Sequence, residues 1–330
     1  MRKRILALLM AAAMTLGLAA CGDKGNKEQT EFAPADMEVA VMTGPTAIGL
    51  VKVMSDAEEK TAANNYNFHV YGTADEISTG LLKGELDAAC VPCNLASVLY
   101  NKSEGKIVMA AINTLGVLYI VETGEAIQSV EDLRGKTIYS TGQGTTPEFT
   151  LRYLLSQSGI DPDKDVTIEY KSEAAEVAAV LKDATDAVAM LPQPYVTSVT
   201  TQNPSVRIAL NITEEWEKLD EDSTVVTGVL VVRKEFVEEN KAAFDEFLKE
   251  YEASVTYANG NVEEAAEKLE HFGIFKAAIA KKAIPYCNVT FVTGSEMKKL
   301  AGAYLQVLFD QKAGAVGGAM PADDFYYNAK

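Results

Sequence analysis

The chain has 330 residues, a formal net charge of −17 and 48% hydrophobic side chains. A protein this acidic does not hold nucleic acid by charge attraction, so we expect no nucleic-acid partner. The length and the apolar fraction are sufficient for two domains of ordinary size.

The first 21 residues have the composition of a secretion signal. Positions 2–4 are basic, and Ile5–Leu18 is an apolar run too short to span a bilayer comfortably. The run ends in Leu18-Ala19-Ala20-Cys21, which resembles the bacterial lipobox and implies a diacylglyceryl group on Cys21. An ordinary signal peptide with an incidental cysteine is the alternative. We predict a signal peptide at 1–20, a polar lipid-anchored tether at 21–35, and an extracytoplasmic protein anchored to the cell membrane.

A folded body of alternating strands and helices should begin near Asp36. Its first half contains a Thr43–Thr46 turn between a strand and a helix. The predicted elements are a strand from Met37, a helix through about Ala57, a strand at Tyr66–Tyr71, a helix at Thr73–Gly84, a strand within Glu85–Asn94 and one or two strands within Ile107–Gly124. This alternation predicts an α/β fold with mostly parallel sheets covered on both faces.

The segment Val130–Gly159 is the most informative stretch. It reads as a short helix ending at Gly135, a buried strand at Lys136–Thr141, a glycine turn at Gly142–Glu148 and an amphipathic helix that stops at Gly159. A strand, a turn and a capped helix put free backbone N–H groups and the positive end of a helix dipole at one place. The turn is therefore a candidate site for an anionic or strongly polar group, although many such turns bind nothing.

The alternation restarts after this segment, which suggests two lobes of similar construction. The predicted elements are a strand at Val166–Tyr170, a helix at Ser172–Asp183, a strand at Asp186–Leu191, a proline turn with a helix, a strand at Val206–Ile212 and an extended segment at Ser223–Phe236. Helices then follow at about 238–258, 262–270, 276–283 and 295–311. They have no strand partners in the sequence, so we expect them to cover existing lobes.

The cysteines and histidines do not indicate a metal site. Cys90 and Cys93 have the CxxC spacing, but a second CxxC and a nearby histidine are missing. With Cys287 they are an odd number, and both a disulfide and buried thiols stay open. His69 alternates within a strand and His271 ends a helix, as structural histidines do. We expect no metal and no cofactor.

Several motifs occur in an order that resembles a known family. They are the lipobox, the acidic tether, a strand-TGPT-helix unit and the segments LxxGELDAACVP, LRGKTIYSTGQGTTPE and DAVAMLPQPY. This order is similar to that of type 2 solute-binding proteins of ABC importers, in the branch for nitrate, sulfonate, taurine and thiamine-pyrimidine precursors. The resemblance covers about Asp36–Lys330 and implies a two-lobed periplasmic-binding-protein type 2 fold.

The resemblance also implies domain boundaries and partners. The first lobe would consist of residues 36–122 and 228–330, and the second of residues 123–227. Two crossover strands would lie near Tyr119–Thr123 and Thr224–Val229. A monomer would carry its ligand between the lobes to an ABC permease and ATPase. The ligand would contact loops at the carboxyl ends of strands.

Those loops supply the candidate ligand contacts. They combine hydroxyl, amide and backbone donors with two rings suited to stacking. The candidates are Thr43, Gly44, Pro45, Thr46, Cys93, Asn94, Leu115, Gly142, Gln143, Gly144, Thr145, Thr146, Gln193, Tyr195, Asn288 and Phe291. Because these loops contain no Arg or Lys, a sulfonate held by neutral donors and an uncharged heterocycle both stay open.

Three classes of function compete. A binding protein needs only a cleft that excludes water and presents preformed donors. An enzyme of a pyrimidine- or menaquinone-type pathway on the same scaffold would need a catalytic histidine, cysteine or carboxylate pair, and GxSxG and HExxH motifs are absent. An adhesion or signalling protein leaves turns this rich in Gly, Pro and Thr unexplained. We predict a protein that captures a small solute for an importer, and not an enzyme.

Overall fold

The computed structural model describes residues 32–182, 184–220 and 222–328. The predicted signal peptide, the lipidated Cys21 and most of the predicted tether lie outside these residues. The described part of the chain contains no helix long and apolar enough to cross a membrane.

The strands form two mixed sheets. The first sheet has six strands in the order β11-β4-β10-β3-β1-β2 and the second has five in the order β7-β6-β8-β5-β9. The strands are β1 (Asp36–Met42), β2 (Asn65–Tyr71), β3 (Ala88–Pro92), β4 (Ile107–Thr114), β5 (Leu118–Thr123), β6 (Thr137–Ser140), β7 (Thr167–Tyr170), β8 (Val188–Pro192), β9 (Val206–Asn211), β10 (Gly228–Arg233) and β11 (Val289–Val292).

The two sheets share one construction, as the repeated alternation predicted. In the first, β1 pairs in parallel with β2 and β3. In the second, β6 pairs in parallel with β7 and β8. The strands next to these, β10 with β3 and β5 with β8, run antiparallel. The α/β class is confirmed, and the pairing is mixed because the strands that follow each crossing between the sheets run against the parallel core.

The helices fall close to their predicted positions. They are α1 (Pro45–Ile48), α2 (Val51–Glu58), α3 (Ala74–Lys83), α4 (Cys93–Lys102), α5 (Thr146–Gln157), α6 (Ala174–Lys182), α7 (Tyr195–Gln202), α8 (Ile212–Leu219), α9 (Lys234–Glu239), α10 (Lys241–Gly260), α11 (Val262–His271), α12 (Ala277–Ala283) and α13 (Gly294–Gln311). Short 3-10 turns lie at Val130–Leu133, Ile284–Tyr286, Ala313–Val316 and Asp323–Phe325. The sequence analysis missed α8, whose Trp216 is fully buried.

The chain crosses between the sheets twice. It leaves β4 and enters β5 through residues 115–117, and it returns from α8 to β10 through residues 220–227, of which 221 is not described. The predicted first crossover, Tyr119–Thr123, instead belongs to β5, which pairs with β8 and β9 of the second sheet. This boundary is not visible in the sequence because residues 107–124 form one long, mostly apolar run. Gly116 lies in the connection between the two strands and packs so closely against α8 that a Cβ there would lie 1.7 Å from Oγ1 of Thr213.

The C-terminal part contains one strand that was not predicted. β11 pairs antiparallel with β4. The segment after Phe236 therefore adds a strand to the first sheet, in addition to the helices that were expected to cover it. Its four residues lie between a 3-10 turn and α13, too short for an alternation to show. The aromatic tail also lies beside β4, where the N–H of Tyr327 donates to the carbonyl of Met109 at 2.8 Å and Phe325 is fully buried.

Helices join the two sheets on one side of the molecule. A single apolar cluster contains buried residues from strands of both sheets and from α4, α5 and α13. Within it the rings of Tyr153 and Trp216 lie 4.4 Å apart, and those of Trp216 and Tyr304 lie 5.2 Å apart. The hydroxyls of Thr150 and Tyr304 are hydrogen-bonded at 2.7 Å. Residues of both sheets therefore share part of one apolar core.

Candidate functional site

Loops at the carboxyl ends of strands in both sheets meet around one cavity of 470 Å³. Clefts of a few hundred Å³ at such edges are the usual place for small ligands in α/β proteins. The residues that line it are Met42, Thr43, Gly44, Pro45, Thr46, Gly72, Thr73, Ala74, Asp75, Pro92, Leu118, Thr141, Gly142, Gln143, Thr145, Thr146, Pro147, Tyr170, Lys171, Ser172, Glu173, Ala174, Pro192, Tyr195 and Thr227.

The turn Thr43–Thr46 forms part of the first sheet's wall. The backbone N–H of Thr43 donates to the carbonyl of Tyr71 at 2.8 Å, which ties this turn to the end of β2. Thr46 is 7% exposed, and its hydroxyl has no hydrogen-bond partner in the described residues. The hydroxyl of Thr227, also in the lining, is likewise without a partner there. Since a buried hydroxyl left unpaired costs about 1–3 kcal/mol, a ligand or water is expected to complete both.

Gly228 allows this wall to pack closely. A Cβ at Gly228 would lie 2.4 Å from Cγ2 of Thr46 and 2.6 Å from Oδ1 of Asn113. Any larger residue would therefore displace Thr46 or the strand β10. Glycine at this position leaves room for the Thr46 side chain in the cavity wall.

The turn Gly142–Thr146 forms part of the cavity wall that belongs to the second sheet, called the second wall. Most of its hydrogen-bonding groups are already bonded within the turn and its helix. Gly142 and Gly144 have φ values of +70° and +78°, which favour glycine. The hydroxyl of Thr145 donates to the carbonyl of Gly142 at 2.7 Å. The N–H of Gly144 donates to the carboxylate of Glu148 at 2.6 Å, and Gly144 lies outside the lining. The Gly144 N–H is therefore not available to the predicted ligand site, because the carboxylate of Glu148 in the following helix already accepts it.

Cys93 and Asn94 lie behind the cavity, and neither lines it. Both are fully buried, and burial raises the pKa of the Cys93 thiol well above its usual range. The side-chain amide of Asn94 donates to the carbonyls of Gly144 at 3.2 Å and Ala315 at 2.9 Å. Its oxygen accepts from the hydroxyl of Thr146 at 3.4 Å. Asn94 therefore holds the second wall's turn against the first sheet rather than facing the cavity.

The remaining candidates outside the lining are also held by the protein itself. The side chain of Gln193 is buried and accepts from the hydroxyl of Thr197 at 2.8 Å, at the start of α7. Asn288 donates to the carbonyl of Gly116, and Leu115 packs against the apolar core. The ring of Phe291 lies 5.3 Å from that of Tyr251 in the core of the first sheet. Gln193 and Leu115 follow strands, whereas Asn288 precedes β11 and Phe291 lies in it, and none of the four lines the cavity.

Tyr195 lines the cavity as predicted and also contacts the opposite side. Its ring meets that of Phe275 edge-to-face at 5.3 Å, which joins α7 to the segment before α12. Burial raises the pKa of Tyr195, and the nearby charge of Glu173 raises it further. Its phenol therefore stays protonated and able to donate a hydrogen bond at neutral pH.

Two loops that the sequence analysis overlooked complete the lining. They follow β2 and β7 and contain residues 72–75 and 171–174. They supply the charges of the cavity, namely Asp75, Lys171 and Glu173. The candidate loops named from the sequence contain no Arg or Lys, but Lys171 of the loop after β7 brings one basic residue to the lining. The rule that identified the other loops, a polar segment after a strand, would also have found these two.

The histidines and cysteines of the described residues lie outside the cavity lining. No group of three or more His, Cys, Asp or Glu side chains among them could hold a metal ion. His69 pairs with Glu38 and His271 with Glu58, and neither histidine lines the cavity. Cys90, Cys93 and Cys287 are free and buried, which settles the question of a disulfide among them in favour of buried thiols.

Comparisons with known proteins bear on the family and the fold. A family model described as "ABC transporter, phosphonate, periplasmic substrate-binding protein" matches residues 53–282. No curated protein matches the chain in sequence.

Solved structures resemble the chain over most of its length. An ABC transporter structure from Parabacteroides distasonis shares 24% identity and a TM-score of 0.74, covering 89% of this chain and 99% of its own. The aliphatic sulphonate-binding protein SsuA of Escherichia coli shares 14% identity and a TM-score of 0.71, covering 90% and 94%. The alkanesulfonate-binding SsuA of Xanthomonas axonopodis pv. citri, bound to MOPS, shares 14% identity and a TM-score of 0.68, covering 88% and 96%. At these identities the likeness shows the fold alone.

Proposed function

The chain belongs to the periplasmic substrate-binding proteins of ABC transporters, and from this premise we propose that the cavity between its two sheets captures one small organic solute for import. The observation that carries the proposal is the cavity itself, which lies at the carboxyl ends of strands of both sheets and is lined by Thr46 and Thr227, whose hydroxyls are unpaired in the described residues. Affinity then comes from preformed donors in a space that excludes water.

The two sheets correspond to the two lobes of this proposal. Residues 115–117 and 220–227, which connect them, would be the hinge, so that the first lobe ends slightly earlier than residue 122. The contact between Tyr195 and Phe275 joins elements of the two lobes on the side of the cavity where α7 lies. Closure of the lobes around the solute would be the working motion.

The partners and the anchor complete the proposal. The closed, loaded protein would dock as a monomer on an ABC permease with its ATPase, as the family implies. The sequence Leu18–Cys21 supports a lipid anchor on the outer face of the cell membrane. The named neighbours bind sulfonates, and this makes a small organic solute the class to test first.

The test removes one hydroxyl without changing shape. Thr46→Val should weaken solute binding by about threefold to tenfold, the effect of one lost hydrogen bond. Thr213→Val is the matched control, because the Thr213 hydroxyl is also buried and unpaired in the described residues but lies outside the lining. Binding is measured as the shift of the thermal midpoint against a panel of sulfonates, phosphonates, nitrate, amines and heterocycles. Equal losses in both variants, or no shift with any compound, would contradict the proposal.

A further inference from the structure

Three of the helices that begin at the cavity have a carboxylate of the protein at their start, whereas α1 and α7 begin there without one. Helices α3, α5 and α6 begin at its edge. Asp75 lies in the first turn of α3, Glu148 in the first turn of α5, and Glu173 directly before α6. Since the positive end of a helix dipole favours negative charge, these three positions are already occupied by the protein's own charges.

The cavity lining has little positive charge to offset these carboxylates. Lys171 is the single basic residue among the described residues that line the cavity. Its ammonium lies 3.5 Å from the carboxylate of Glu169 and 5.5 Å from the ring centre of Tyr139. Within the described chain, Asp75 and Glu173 form no ion pair with any basic side chain. An arginine fork of the kind that binds sulfonate or phosphonate tightly does not line this part of the structure.

Glu173 lies where the two walls meet. A Cβ on Gly72 would be only 2.6 Å from Oε1 of Glu173, so this carboxylate of the second sheet's loop lies against the first sheet's loop. Its charge also acts on the phenol of Tyr195 in the lining. A positively charged group that entered the cavity would therefore meet Glu173 together with a neutral donor.

The buried hydroxyl of Thr46 is an independent sign of a ligand. Thr46 lines the same cavity and is 7% exposed, and its hydroxyl is unpaired in the described residues. Flat apolar surfaces of Pro45, Pro92, Pro147 and Pro192 also line the space. Such surfaces suit a ring, whereas a small inorganic anion would leave most of a 470 Å³ cavity to water.

Building on the proposed function, we propose that the solute is an organic amine or nitrogen heterocycle that presents a positively charged nitrogen to Glu173 and Asp75 and a hydrogen-bonding group to Thr46. The protein's own carboxylates at the three helix starts would repel nitrate, sulfonates and phosphonates. The chain would then differ in ligand charge from the sulfonate-binding proteins that share its fold.

The experiment sorts ligands by charge at constant shape. The panel contains matched triples such as 2-phenylethylamine, 2-phenylethanol and 2-phenylethanesulfonate, with cationic, uncharged and anionic heterocycles beside them. Thermal midpoints of the soluble protein are measured at pH 7 and at two salt concentrations, and calorimetry gives dissociation constants for the hits. The largest shifts are expected from the cationic members.

Single substitutions test which carboxylate accounts for the preference for cationic ligands. Glu173→Gln and Asp75→Asn should each weaken a cationic hit by about threefold to tenfold, because a partly exposed ion pair contributes modestly. Glu252→Gln, an exposed acid on α10 far along the chain from the lining, should change nothing. Strongest binding by sulfonates or by uncharged members, or cationic binding that both variants leave intact, would overturn the charge assignment while keeping the binding function. A flat response across all classes would overturn both.

Discussion

The two threonine-rich turns in the cavity wall contain the same kinds of residue and use them differently. Both Thr43–Thr46 and Gly142–Pro147 join a strand to a helix through glycine, threonine and proline. In the first, the Thr46 hydroxyl is left unpaired by the described residues. In the second, the hydroxyl of Thr145 and the N–H of Gly144 are both taken by neighbours within the turn and its helix. The Thr145 hydroxyl is taken by the carbonyl of Gly142, and the Gly144 N–H by Glu148, which has no counterpart in the first turn.

The comparison shows that a glycine turn before a helix is not in itself an anion site. Free donors depend on whether a nearby side chain has already accepted them. A carboxylate four residues after the glycine does so here, at 2.6 Å. The turn with the shorter helix and without an acid is the one whose threonine hydroxyl is left unpaired in the described residues.

The largest effect is expected from adding a methyl group at Gly228, behind the first turn, and the matched change is made at Gly144, within the second. Gly228→Ala would place Cβ 2.4 Å from Cγ2 of Thr46, and the overpacking should lower the free energy of unfolding by about 1–3 kcal/mol. It should also abolish most ligand binding, because Thr46 must move. Gly144→Ala meets no atom within 4 Å and bears only the strain of its φ of +78°, about 1 kcal/mol. Urea unfolding of both variants measures the difference, and a larger loss for Gly144→Ala would reverse the comparison.

A second pair of variants should change stability in opposite directions. Thr46→Val removes an unpaired hydroxyl and should raise the free energy of unfolding of the ligand-free protein by up to about 1 kcal/mol. Thr145→Val breaks a 2.7 Å hydrogen bond to Gly142 and should lower it by about 1 kcal/mol. Chemical denaturation without ligand gives both values. If Thr46→Val also destabilised, its hydroxyl would have a partner in the free protein and the two turns would not differ.

The acid of the second turn can be tested by separating its charge from its hydrogen bond. Glu148→Ala removes both and should lower the free energy of unfolding by about 0.5–1 kcal/mol. Glu148→Gln keeps an acceptor for the Gly144 N–H and should lose only the charge contribution, about 0.3 kcal/mol. The two midpoints are compared in urea at low salt. Identical losses would mean that the hydrogen bond does not hold the turn.

The fold was predictable because its signals are local. Apolar strands such as β3 and β8 alternate with capped amphipathic helices, and both sheets were found on that basis. The crossing at residues 115–117 and the short β11 were not, since one lies inside a continuous apolar run and the other has four residues. Sheet pairing decides both, and pairing depends on contacts far apart in sequence.

The candidate site was predictable in its loops and not in its side chains. Thr43–Thr46, Gln143 and Tyr195 line the cavity because carboxyl ends of strands converge there. Asn94, in the first turn of α4, and Gln193, in the loop after β8, also follow strands, but their side chains hydrogen-bond to the protein itself. The direction of a side chain depends on which neighbouring group can hydrogen-bond with it. A local sequence pattern does not contain this information. That these lining residues contact a ligand stays a prediction.

The smallest effect tests how Glu173 connects the second wall to Tyr195. Burial is the main cause of the raised pKa of Tyr195, and the charge of Glu173 is the second. Glu173→Gln should therefore lower the pKa of Tyr195 toward its ordinary value without reaching it, because burial remains. A phenol with a raised folded-state pKa stabilises the protein below pH 10, and this contribution is lost as pH rises through the folded-state pKa. The measurement is the absorbance of phenolate between pH 9 and 12, taken as the difference between each protein and its Tyr195→Phe counterpart. An unchanged pKa of Tyr195 in Glu173→Gln would mean that the carboxylate lies away from the cavity. The acid would then no longer distinguish the second wall from the first.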